Sequence, residues 1–93
     1  MKSKQYTAKQ KAAIAAKIIK KAVEISETTP HDVFCEYSPH VDWIVVRIFE
    51  GGWISTADWH ELRVYFGHEY NDPEAEIKEI MDALAELEKD AKK

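Results

Sequence analysis

Asp42-Trp-Ile-Val-Val-Arg-Ile-Phe-Glu-Gly-Gly52 is the stretch that decides the fold. Between Trp43 and Phe49 every residue except Arg47 is aliphatic or aromatic, and four are β-branched. Such side chains lose rotamer freedom in a helix but pack well on a pleated surface. The segment 42–50 is therefore predicted as a strand. Its nearly continuous apolar character predicts the central place in a sheet, and Gly51-Gly52 ends it.

Working outward, Val-Phe-Cys-Glu-Tyr at 33–37 is a second strand, stopped by Ser38-Pro39-His40, because proline cannot continue a ladder. A connection through Trp53 and Ser55 leads to a third strand at 59–66, closed by Gly67. Thr7 followed by Gln10 matches a capping box and opens a helix over 7–27, ended by Thr28-Thr29-Pro30. Along it Ala8, Ala12, Ala15, Ile19 and Ala22 recur at helical spacing, with Ile14, Ile18 and Ile25 flanking them. Asn71-Asp72-Pro73 with Glu74 and Glu76 opens a second helix over 73–90, with Ile77, Ile80, Met81, Leu84 and Leu87 as its buried stripe. The expectation is one α+β domain over 1–93: N-terminal helix, three-stranded antiparallel meander with the middle strand in the centre, C-terminal helix, in two layers. At this size about 60–65% of the unfolded surface is buried, which supports a single core of modest stability.

Side chains alternate along strands, so the sheet has two distinct faces. Ile44, Val46 and Ile48 with Leu62, Val64 and Phe66 form an aliphatic face expected to receive the helices. Phe34, Glu36, Trp43, Val45, Arg47, Phe49, Trp59, Glu61, Arg63 and Tyr65 lie on the other. That second face is aromatic and carries both arginines of the chain. Tyr, Trp and Arg are the residues that anchor protein contacts, so Trp43, Arg47, Phe49, Trp59, Arg63 and Tyr65 are the candidate partner-binding residues.

Catalytic and cofactor chemistry finds no foothold. The chain has three glycines, two of them adjacent, so no nucleotide-binding loop is present, and one cysteine, Cys35, so no internal disulfide. Cys35 reads as a small hydrophobe. His31, His40, His60 and His68 each have an acid within two residues, but no pair has the spacing that holds zinc on a helix. His31, His40 and His68 fall in expected loops, as solvated side chains. The expectation is no enzyme, no metal and no cofactor. No apolar run reaches the roughly 18 residues of a membrane span, and the lysine-rich N-terminus does not read as a secretory signal. The expected setting is the cytosol.

The net charge of −4 is unevenly spread. Residues 1–25 hold seven lysines and one glutamate (+6), residues 26–68 seven acids and two arginines (−5), and residues 69–93 nine acids and four lysines (−5). These charges read as solvated helix faces, or as a phosphate-like surface offered to a basic channel. An aromatic-Arg face could also stack nucleic-acid bases, though Glu36 and Glu61 on that face oppose it.

The run Ser38-Pro-His-Val-Asp-Trp-Ile-Val-Val-Arg-Ile-Phe-Glu-Gly-Gly-Trp53 resembles small uncharacterised prophage and mobile-element proteins of Gram-positive bacteria. In those, a His-Val lead-in, an alternating strand and a Gly-Trp ending recur. The resemblance covers sixteen residues and implies a kind of protein, not a reaction. Proteins of that sort include non-enzymatic inhibitors of host defence nucleases, the anti-CRISPR proteins. It implies a phage-type interaction protein that binds and inhibits a host protein or protein–nucleic acid complex in the bacterial cytosol. The alternatives are a nucleic-acid-binding module using the aromatic-Arg face, and a structural homodimer module.

Overall fold

The computed structural model describes residues 6–52, 59–67 and 71–91. The elements run α1 (Ala8–Thr28), β1 (Asp32–Ser38), β2 (Trp43–Phe49), β3 (Trp59–Tyr65) and α2 (Pro73–Glu88). This is the α+β order read from the sequence, with boundaries moved by two residues at most. The sheet order is β1-β2-β3, antiparallel throughout.

Local chemistry sets the ends of the helices. Thr7 Oγ1 accepts from the Gln10 N–H at 3.1 Å while Gln10 Oε1 accepts from the Thr7 N–H at 2.8 Å, so the capping box is complete. The Asp72 carboxylate caps α2 at the Ala75 N–H, with Pro73 in the first turn and Glu74 and Glu76 at the positive end of the helix dipole.

Both helices lie on the aliphatic face of the sheet. Ile18, Ala22 and Ile25 of α1 and Ile80, Leu84 and Leu87 of α2 close over Val33, Ile44, Val46, Ile48, Val64 and Phe66. Here α1 departs from its reading. The buried stripe is centred on Ile18, Ala22 and Ile25, whereas Ile19 is 46% exposed and Ala8 and Ala12 are exposed. Half the circumference of α1 is apolar, wider than the sheet beneath can cover, so one flank of the arc, Ile19 and Val23, is left exposed.

His31 also departs from its reading as a solvated loop residue. Its side chain is only 11% exposed. Nδ1 accepts from the Gly51 N–H at 3.0 Å, and Nε2 lies 2.7 Å from Asp90 Oδ2. An acceptor Nδ1 leaves the proton of the neutral ring on Nε2, where it donates to Asp90. The ring thereby ties the start of β1, the Gly51 turn and the end of α2 together. Asp42 is the second special position, a non-glycine residue at φ 55°. Aspartate tolerates that region better than most, and its carboxylate takes Lys11 Nζ at 2.8 and 3.0 Å while its carbonyl accepts from the Phe66 N–H.

The hydrogen-bond phase of the sheet follows from that Phe66–Asp42 bond. It makes Trp43↔Tyr65 a non-hydrogen-bonded pair, and by alternation Val45↔Arg63, Arg47↔Glu61 and Phe49↔Trp59 as well. Those pairs bring side chains closest together. All four lie on the face away from the helices.

Candidate binding face of the sheet

Among the described residues, no helix or strand covers that second face. Register brings all six candidate residues onto it, together with Asp32, Phe34, Glu36, Ser38, Val45 and Glu61. They divide into three bands along the strands.

At one end Trp43 and Tyr65 meet edge to face, with ring centroids 5.0 Å apart at 74°. The Arg63 guanidinium carbon sits 4.7 Å from the Trp43 ring centroid, and Arg63 Nη1 donates to the Tyr65 hydroxyl at 3.1 Å. At the other end Phe49 stacks on Trp59, with centroids 5.5 Å apart at 20°, and meets Phe34 edge to face at 5.3 Å. Such ring pairs contribute about 0.5–1.5 kcal/mol beyond the area they bury.

Between the rings runs a strip of paired charge. Glu61 is the shared acceptor: Oε1 takes Arg47 Nε at 3.2 Å and Oε2 takes Arg63 Nε at 2.6 Å. Arg47 Nη1 reaches on to Glu36 Oε1 at 3.4 Å. The hydrogen bond from Arg63, seconded by Arg47, holds the Glu61 carboxyl below its ordinary value. The Tyr65 hydroxyl and Glu61 together raise Arg63. Val45, at the centre, is 3% exposed, so the long side chains around it lie down over the sheet.

The face is therefore preformed rather than ragged. Its exposed end is aromatic, with Trp59 at 51% and Phe34 at 46% exposure. Phe34 was placed on this face by alternation but not counted among the anchors. Its exposure and its contact with Phe49 put it there. Arginine–glutamate pairing across a two-fold contact is a natural expectation for this face in a homodimer. Instead both arginines are paired within one chain.

Cys35 lies on the helix side, packed against the core. Burial pushes its thiol up to about 11, which keeps it protonated and a poor nucleophile at neutral pH. Among the described residues no group of three His, Cys, Asp or Glu side chains is placed to hold a metal ion. None of their helices is long and apolar enough to cross a membrane. Compared with family models, curated proteins and solved structures, the chain matches none.

Proposed function

We propose that the chain is a non-enzymatic binding protein of the bacterial cytosol whose second sheet face docks a partner protein. The observation that supports this reading is the combination on one face of exposed aromatic rings with arginines already neutralised by in-chain carboxylates. Glu36 and Glu61 on the same face take both arginines. Exposed aromatic area of this kind favours a second body, because burying it gains roughly 25 cal/mol per Å². Preformed ion pairs and ring stacks lower the ordering cost of that encounter.

The same pairing weighs against a nucleic acid. Phosphate binding gains from cations that release counterions, and here Arg47 and Arg63 would first have to leave Glu61. The resemblance over residues 38–53 extends the proposal to an inhibitory role against a host macromolecule such as a defence nuclease. Only the resemblance supports that extension.

The test is capture from a bacterial host lysate on immobilised wild-type protein and on the double variant Trp43→Ala/Trp59→Ala. A partner held by the wild type and released by a folded double variant supports the proposal. Salt-sensitive binding of a single-stranded oligonucleotide, lost in the same variant, would replace it with the nucleic-acid reading.

A further inference from the structure

Beyond the open face, the two edges of the sheet differ in a way that bears on partners. Each edge strand gives one outward N–H to its neighbouring helix. The Val33 N–H of β1 donates to Ser26 Oγ on α1 at 3.0 Å, and the Tyr65 N–H of β3 donates to Glu76 Oε1 on α2 at 3.0 Å. By the hydrogen-bond phase of the sheet, the remaining outward N–H groups of β1 belong to Cys35 and Tyr37. Among the described residues, no helix side chain caps them.

The surroundings of those two residues are mostly apolar. A groove of about 340 Å³ lies between α1 and β1, lined mainly by Ile19, Val23, Val33 and Cys35, with the polar Ser26 and Glu27. Its upper lip is unusually bare for a helix surface, with Val23 56% and Ile19 46% exposed; Tyr37, 46% exposed, lines a separate hollow with Ala8, Lys11, Ala12 and Ala15. On the opposite side of the strand, between the two free groups, stands Glu36. Its carboxylate is 60% exposed and holds Arg47 only at 3.4 Å, while Arg47 is the closer partner of Glu61. On the β3 edge the outward residues Glu61 and Arg63 instead carry charged side chains that are bonded to each other.

We propose that β1 is a strand-addition site for an extended segment of another protein that alternates apolar and basic residues. One apolar residue enters the α1–β1 groove opposite Cys35, the next packs against the exposed Tyr37 ring, and a basic residue meets Glu36 on the other side. Main-chain bonds to the free groups supply affinity and the alternate side chains supply specificity. Charge selects this occupant over a second copy of the chain. The two-fold pairing that uses every free group of Cys35 and Tyr37 sets Glu36 directly against its own copy, and like charges so placed destabilise a ladder. This site is separate from the aromatic face and stands or falls independently of it.

The test is an amide-resolved NMR titration of the full chain with an eight-residue peptide of alternating valine and lysine. The Cys35 and Tyr37 amides shift and gain exchange protection, and Val23→Asp, a change at an exposed position, removes the effect. Glu36→Lys weakens the valine–lysine peptide about two- to fivefold, the fold-change of one cross-strand ion pair, and turns preference to a valine–glutamate peptide. Absence of shifts at Cys35 and Tyr37 overturns the proposal, as does binding confined to Trp59 and Arg63. Protection of the two amides that rises with protein concentration alone also overturns it, in favour of a second copy.

Discussion

The two faces of one strand, β2, do different work. Ile44, Val46 and Ile48 are at most 1% exposed and belong to the apolar core beneath two helices. Trp43, Arg47 and Phe49, which alternate with them along the strand, are half-buried and meet rings and charges. The helix face loses contact with water and gains stability through close packing, where shape is decisive. The other face keeps its large side chains at the surface and satisfies them laterally. Burial on one side frees the other from having to hold the fold together.

The largest expected effect breaks the packed side. Ile48→Ala removes a side chain with no route to solvent and should cost about 2–5 kcal/mol in urea unfolding. A loss under about 1 kcal/mol would mean that the helix face is not where stability resides. Val45→Ala sharpens the contrast, because Val45 is as buried as the core yet roofed by flexible side chains. Removing two carbons at roughly 0.8 kcal/mol each should cost about 1.5 kcal/mol, with the cavity term relieved as the roof settles. A cost equal to that of Ile48→Ala would show the open face to be packed as rigidly as the core.

Arg63→Ala should cost under about 1 kcal/mol, since partly exposed ion pairs contribute little. Its signature is a change in Trp43 fluorescence with the helical circular dichroism unchanged. The smallest effect is a pH response. The Glu61 carboxyl is lowered in the folded state from its ordinary 4.5, so its contribution is complete above that value. It is lost as the pH falls through the lowered folded value. A carbon-detected titration of the Glu61 carboxyl checks the sign, and a midpoint above 4.5 would mean that the arginines do not hold it.

Much of this contrast was legible in the chain. A period of two over residues 43–49 assigns each side chain to a face, and proline, glycine and Thr7–Gln10 mark the ends of elements through local chemistry. What stayed hidden depends on register or on distant chain. Glu61 as common acceptor for Arg47 and Arg63 requires the β2–β3 pairing, which no local pattern specifies. His31 finds Asp90 across 59 positions of sequence, so its surroundings resembled any loop. The orientation of α1 was ambiguous because its apolar arc is wide and alanines bury little; the sheet below selects Ile18 and Ile25.

The central claim is that the aromatic face is surface and the aliphatic face is core. Urea unfolding of Trp43→Ala/Trp59→Ala beside Ile48→Ala tests it most directly, read by helical circular dichroism. The account predicts a folded double variant that keeps the wild-type spectrum and loses less stability than Ile48→Ala alone. A double variant that is unfolded in buffer, or weaker than Ile48→Ala, would contradict it: the two tryptophans would then belong to the core.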